Sequence, residues 1–182
     1  MSMRQRVGKQ EIERFLVQVG CTRQLGRLYL TGGAALFHRG ILPGQTVDID
    51  IQVTIDPGNL MAQIVQLKQK LSINIKFVSP GDFIPLPTQW EARSQFLQRY
   101  DQVDVFYFDW YSIALSKTQR GNELDIADVH ALIDQGYVDV NELDQSYQDV
   151  LHKISNPPYD RLLPNLSQQQ FAQRYQAVRR FL

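Results

Sequence analysis

The sequence predicts an α/β fold (α+β in the looser sense), a small mixed sheet flanked by helices with a helical extension at the C-terminal end. Two observations predict it. Apolar residues recur at helical spacing between and after several short segments that have the composition of strands. These segments are 28–31, 47–53, 73–78 and 103–108.

Length and composition indicate one globular domain. The chain has 182 residues, enough for a core that buries roughly 70% of the unfolded surface. We expect a single domain over 1–182, with a core at 24–133 and the helical extension at 139–182. The formal net charge is zero, so no global basic field predicts a nucleic-acid partner, although a local basic patch stays open.

The first strand leads into a glycine turn. Residues 28–30 are apolar, Gly32 and Gly33 turn the chain, and 34–39 has the composition of a short helix. Glycines permit a close backbone approach, and the N–H groups of a helix N-terminus favour a phosphate. The turn therefore predicts a place where a phosphate group could be bound.

The second strand carries two carboxylates. Apolar and polar residues alternate over 47–53, so Asp48 and Asp50 project from one side of the strand, about 7 Å apart along it. Close carboxylates repel and stay ionised most easily with a cation between them. Mg²⁺ suits such ligands, because it usually takes one or two carboxylates together with substrate phosphates. The alternative is a solvated edge strand whose aspartates bind nothing.

The ordered set Gly32, Gly33, Thr46, Asp48 and Asp50 resembles the nucleotidyltransferase (polymerase beta-like) superfamily. The gap between the glycines and the second strand is slightly longer than the commonest spacing in that superfamily. The resemblance implies that the aspartates hold Mg²⁺ and catalyse, while the glycines and the threonine bind a nucleoside triphosphate.

The third carboxylate of the superfamily is absent from its usual strand. The candidate positions on strand 73–78 hold Asn74 and Lys76. Asp104, on strand 103–108 between two valines, has the same local pattern as the aspartate pair. We expect Asp104 to be the third catalytic carboxylate, and the alternative is that it pairs with a basic side chain such as Lys76.

Helices are expected around these strands. The segment 1–8 is expected to be frayed, and 79–91, with three prolines, is expected to be an irregular connection. The predicted helices, with their proposed first or last residues, are 9–19 (ended by Gly20), 57–71 (capped by Asp56), 110–119 (capped by Asp109), one starting near Asn122, 141–154 (capped by Asn141) and 168–182 (capped by Ser167).

Two of these helices carry a second charged pattern, formed by Lys117, Arg120, Asp125 and Asp128. With the segment 75–93, it resembles nucleotidyltransferase-like toxins of abortive-infection type toxin–antitoxin pairs. The resemblance spans about 28–133. It implies that the lysine and arginine bind the nucleotide, with the lysine on the triphosphate and the two aspartates orienting both. The alternative is an ion-pair network between two helices.

The leading hypothesis is Mg²⁺-dependent nucleotidyl transfer from a nucleoside triphosphate to a protein or RNA acceptor, with an antitoxin protein as a further partner. The alternative is a catalytically silent relative that binds a nucleotide or a partner protein, because Lys76 could replace the charge of a metal ion. The single cysteine, Cys21, the lack of a signal segment and the lack of an apolar run of about 20 residues favour the cytoplasm and no membrane partner.

Overall fold

The computed structural model describes residues 6–181, except the side chain of Asp160. These residues divide into two compact units. The first consists of the described part of Met1–Ser79 together with Ser94–Phe108, and the second of Pro80–Arg93 together with the described part of Asp109–Leu182. This division differs from the core and extension expected from the sequence.

The first unit contains a five-stranded mixed sheet, which confirms the predicted fold class. Its order is β3-β2-β1-β5-β4, with β1 parallel to β5 and antiparallel to β2, β3 parallel to β2, and β4 antiparallel to β5. The strands are β1 (Gly26–Leu30), β2 (Asp48–Ile55), β3 (Asn74–Phe77), β4 (Gln95–Tyr100) and β5 (Val103–Tyr107). Four were predicted and β4 was not.

Three helices belong to the first unit: α1 (Lys9–Cys21), α2 (Gly32–Arg39) and α3 (Leu60–Leu71). The expected stop at Gly20 is wrong, because α1 continues to Cys21. A Cβ on Gly20 would lie 3.1 Å from Cβ of Tyr100 and 3.2 Å from its backbone, so the glycine allows close packing within the helix.

The start of α3 is also later than expected. Asn59 has a φ of +76° and ends the turn before the helix, which begins at Leu60. Asp56 nevertheless caps it, because its carboxylate accepts hydrogen bonds from the backbone N–H groups of Leu60 and Met61. Asn59 therefore holds the N-cap position expected for Asp56, while Asp56 supplies the capping carboxylate from outside the helix.

The N-terminal segment is ordered from Val7, contrary to the expected fraying over 1–8, of which 1–5 lies outside the described residues. Val7 is fully buried. Its backbone exchanges two hydrogen bonds with Thr46, of 2.7 and 2.9 Å. These bonds hold the loop that leads into β2.

The second unit is helical. Its regular elements are a 3-10 turn (Pro80–Asp82), α4 (Trp90–Arg93), α5 (Trp110–Arg120), α6 (Glu123–Asp134), α7 (Val140–Ile154), α8 (Tyr159–Leu162) and α9 (Gln168–Arg179). The side chains of Asp109 and Ser167 cap α5 and α9 as predicted, and the side chain of Asn122, near which a helix start was expected, caps α6. Asp139, not Asn141, caps α7.

Helix α5 forms the centre of the second unit. Every residue from Trp110 to Gln119 is buried. On α7 and α9, the rings of Tyr147 and Tyr175 stack 3.8 Å apart. The last helix was expected over 168–182 but ends at Arg179, and Phe181 beyond it is exposed. Among the helices of residues 6–181, none has the length and apolar character needed to span a membrane.

Candidate functional site

The two aspartates of β2 lie on one face of the sheet, as the alternation predicted. Asp48 and Asp50 are partly exposed, whereas Ile49 and Ile51 between and after them are buried on the opposite face. Because the two carboxylates leave the same side of one strand, both are available to the same ligand.

The glycine turn lies directly against Asp50. The Thr31 N–H donates a 3.0 Å hydrogen bond to the carbonyl oxygen of Asp50. Gly32 follows with a φ of +55°, and a Cβ at this position would lie only 2.6 Å from the Asp50 Oδ2 atom. Two constraints therefore require glycine here: a left-handed backbone conformation and contact with a carboxylate.

Thr46 joins the turn to the strand. Its hydroxyl oxygen accepts a 3.4 Å hydrogen bond from the Asp48 N–H. A Cβ on Gly33 would lie 3.5 Å from the same oxygen. The five residues of the motif expected from the sequence thus lie together at the start of α2 and the start of β2.

Thr31 is a residue of this site that the sequence analysis assigned only to a strand. Its hydroxyl donates a 2.9 Å hydrogen bond to the carbonyl oxygen of Val78, beyond the end of β3. The residue immediately before α2 therefore ties three strands together beside the aspartates. Threonine before a helix is a preferred N-cap residue, but the Thr31 side chain makes no cap hydrogen bond, so this signal indicates its position and not its partner.

Strand β3 places an amide and an ammonium beside Asp48. Asn74 lies opposite Asp48, and Lys76 lies opposite Asp50. The Asn74 amide donates to Asp48 Oδ1, and the Lys76 ammonium lies 2.5 Å from Asp48 Oδ2. Asp48, Asp50 and Lys76 carry −1, −1 and +1 at neutral pH, which leaves this group with a net charge of −1.

The donor set fits one Mg²⁺ ion shared with a substrate. Asp48 and Asp50 supply two carboxylates on one face, and Gly32 leaves space beside one of them. Mg²⁺ keeps several waters and completes its coordination with phosphate oxygens.

Within the described residues, no group of three or more histidine, cysteine, aspartate or glutamate side chains could hold a metal ion. A site with three protein carboxylates is therefore not formed by these residues.

The expectation that Asp104 is the third carboxylate is wrong on geometric grounds. Asp104 pairs with Arg27 on β1, whereas Asp50 binds Thr31, four residues further along that strand. This register separates the two aspartates by about 13 Å along the strands and two strand spacings, about 10 Å, across them.

Asp104 instead has a local partner on β4. The Arg99 guanidinium donates two hydrogen bonds to its carboxylate, of 2.6 and 3.0 Å. These bonds hold the pKa of Asp104 below its ordinary value. The alternative of an ion pair was correct in kind, but the partner is Arg99 rather than Lys76.

The charged residues of α5 and α6 form a network inside the second unit. Lys117 is only 4% exposed, and its ammonium lies 3.1 Å from Asp125 and 2.5 Å from Asp128. Arg120 also binds Asp125. Burial raises the pKa of Asp125, but the Arg120 hydrogen bonds and the Lys117 charge outweigh it, so the pKa lies below its ordinary value. Nucleotide binding by Lys117 and Arg120 stays a prediction.

Arg93 is a further residue whose structural role the sequence did not indicate. Its guanidinium donates hydrogen bonds of 2.9 and 2.8 Å to the fully buried carboxylate of Asp109. The same carboxylate caps α5 by accepting from the Ser112 N–H and hydroxyl. Asp109 was predicted as a cap, but the arginine partner is set by tertiary structure.

Comparison with known proteins identifies the family. A family model described as "Nucleotidyltransferase of unknown function (DUF6036)" matches residues 10–178. No curated protein and no solved structure matches the chain. Because the matched region covers well over half of the sequence, the chain belongs to this family of nucleotidyltransferases of unknown function.

Proposed function

We propose that this protein is a Mg²⁺-dependent nucleotidyltransferase that transfers a nucleoside monophosphate from a nucleoside triphosphate to a protein or RNA acceptor. Family membership supports the reaction class. The observation that carries the proposal is the close approach of the Gly32 turn to Asp50, with Asp48 on the same face of β2.

Each of the five motif residues has a role in this proposal. The N–H groups at the start of α2, at Gly32 and Gly33, bind the outer phosphates, where the helix dipole favours negative charge. Asp48 and Asp50 hold Mg²⁺, which when bound neutralises developing charge on the phosphates. Thr46 fixes the backbone that presents the two carboxylates.

The reaction is an in-line displacement at the α-phosphorus. A bond forms between the acceptor hydroxyl oxygen and the α-phosphorus, the bond to the bridging oxygen breaks, and pyrophosphate leaves. The hydroxyl proton passes to solvent. The contribution of the protein residues is to position the triphosphate and to stabilise charge, which are the main terms in phosphoryl and nucleotidyl transfer.

The pattern from Lys117 to Asp128 supports a more specific proposal, in which the protein is the toxin of a toxin–antitoxin pair and acts in the cytoplasm. Under this proposal a cognate antitoxin protein is a partner. Growth arrest on expression, relieved by co-expression of the product of the adjacent gene, supports the toxin role. Unimpaired growth at high expression contradicts it.

The Lys76–Asp48 contact favours a second candidate, a catalytically silent protein that binds a nucleotide or a partner protein. The ammonium at 2.5 Å supplies positive charge at the aspartates without a metal ion. This candidate predicts that nucleotides raise the melting temperature in the absence of Mg²⁺ and that no nucleotidyl transfer takes place. The enzyme predicts stabilisation only with Mg²⁺.

The combined substitution Asp48→Asn and Asp50→Asn tests the metal assignment. We expect the double variant to lose Mg²⁺-dependent binding of ATP in titration calorimetry and to lose transfer of label from an α-labelled mixture of nucleoside triphosphates. Asp101→Asn is the matched control, because Asp101 is exposed and asparagine tolerates its φ of +54°. Unchanged binding in the double variant would contradict the proposal.

A further inference from the structure

Lys76 contacts Asp48, which lies two residues before the residue opposite it in the strand register. The β2–β3 register pairs Lys76 with Asp50, yet its ammonium lies 2.5 Å from Asp48 Oδ2. The Asn74 amide donates to the other oxygen of the same carboxylate. Both oxygens of Asp48 therefore already accept hydrogen bonds from β3.

A metal ion must compete with these donors. A cation bound by Asp48 needs a lone pair that points toward it, and an ammonium at the same oxygen adds electrostatic repulsion. The Lys76 side chain is 47% exposed and that of Asp48 is 20% exposed. An ion pair this exposed is weak, so the lysine can leave the carboxylate at low free-energy cost.

The displaced Lys76 ammonium can bind the polyphosphate of the substrate. Lysine is a compact charge on a flexible four-carbon stem and is a common phosphate ligand. The aspartate pair with one divalent ion has a net charge of zero, and Lys76 raises it to +1. That charge suits a polyphosphate, which stays anionic after one divalent ion has bound to it.

We propose that Lys76 is a substrate-positioning residue that occupies Asp48 when the site is empty and moves onto the polyphosphate when a divalent metal ion takes its place. This inference rests on the proposed function and adds an order of events. Metal and lysine exclude each other at Asp48, whereas lysine and polyphosphate bind together. Lys76 therefore lowers the affinity for metal alone and raises the affinity for the metal–polyphosphate complex.

The test is Lys76→Met, with Lys70→Met as the matched control. Lys70 is an exposed lysine of α3 in the same unit, and its ammonium donates a 3.2 Å hydrogen bond to Gln18. Mn²⁺ affinity without phosphate is measured by electron paramagnetic resonance, and inorganic tripolyphosphate affinity at saturating Mg²⁺ by calorimetry. We expect Lys76→Met to raise the Mn²⁺ affinity about threefold, as for a weak exposed ion pair, and to lower the tripolyphosphate affinity about tenfold.

The opposite signs separate this role from a merely structural one, because a damaged strand would lower both affinities. Unchanged Mn²⁺ affinity, or two changes in the same direction, would overturn the inference. If Mn²⁺ binding requires Asp48 and Asp50 but is insensitive to Lys76→Met, only the role of Lys76 fails. If wild-type protein binds no Mn²⁺, or if binding survives the double aspartate substitution, the proposed function fails as well.

Discussion

Replacing Gly32 by alanine tests the close approach between the turn and Asp50. An L-residue at a φ of +55° costs about 1–2 kcal/mol in the free energy of unfolding. The new Cβ would lie 2.6 Å from Asp50 Oδ2. To restore an ordinary contact of 3.4 Å, the carboxylate must move by about 0.8 Å (3.4 minus 2.6), well beyond the roughly 0.2 Å tolerance of metal–ligand distances. We therefore expect Mn²⁺ affinity to fall at least tenfold.

Gly40→Ala is the matched control, because it imposes strain without contact. Gly40 ends the same helix with a φ of +83°, and beyond its chain neighbours and the helix backbone no atom of residues 6–181 lies within 4 Å of its added Cβ. We expect a similar loss of stability in urea unfolding and an unchanged Mn²⁺ affinity. If Gly32→Ala binds Mn²⁺ as tightly as Gly40→Ala does, the reasoning from the turn to the metal site is refuted.

Two further predictions concern the second unit. Lys117→Ala should cost about 3–5 kcal/mol in urea unfolding, because Asp125 and Asp128 lose a buried cation; a loss below about 1 kcal/mol would contradict a buried network. If Lys117 also binds nucleotide, the same variant should weaken triphosphate binding more than monophosphate binding, and equal losses would indicate damaged helix packing. The pKa of Asp125 lies below its unfolded value of about 3.9, so the unfolded chain binds more protons and the stabilisation is lost as the pH falls below about 4. Unfolding free energies at pH 7 and pH 3 should thus differ more in wild type than in Asp125→Asn, and an equal difference would refute this assignment.

Local patterns were sufficient for the elements that form the first candidate site. The alternation in β2 places Asp48 and Asp50 on one face, because side-chain direction in a strand depends only on residue parity. The glycine turn before α2 was also predicted, since glycine adopts positive φ at no steric cost. These features are determined by sequence neighbours, and tertiary contacts did not change them.

Strand β4 was missed because its sequence lacks a strand pattern. Phe96 is exposed, and apolar and polar residues do not alternate here, because Leu97 follows Phe96 directly and Gln98 and Arg99 come next. Pairing with β5 makes this segment a strand, and its Arg99 takes the Asp104 carboxylate that was expected at the catalytic site. Strand order and register are not local properties. The sequence therefore could not show that Asp104 lies two strands away from the aspartate pair, beside the start of β1.

Competition between neighbouring residues explains the smaller errors. Asp139 and Asn141 are both good capping residues, and the helix starts at the earlier one. Cys21, the residue after the stop expected at Gly20, is exposed at the end of α1. The identity of the Lys76 partner depends on which side chain across the strand pair its flexible stem reaches, and residue types alone do not determine that.

The alternation of the chain between the two units has a consequence for biosynthesis. The polypeptide leaves the first unit after Ser79, returns at Ser94 and leaves again after Phe108. Strand β5, which joins β1 to β4, is the last part of the sheet to be made. The first unit therefore cannot complete its sheet as the chain emerges from the ribosome until residues 80–93 of the second unit have already been synthesised. A fragment ending at residue 79 contains both aspartates and the glycine turn. It lacks β5, so one edge of β1 has no partner strand in the fragment.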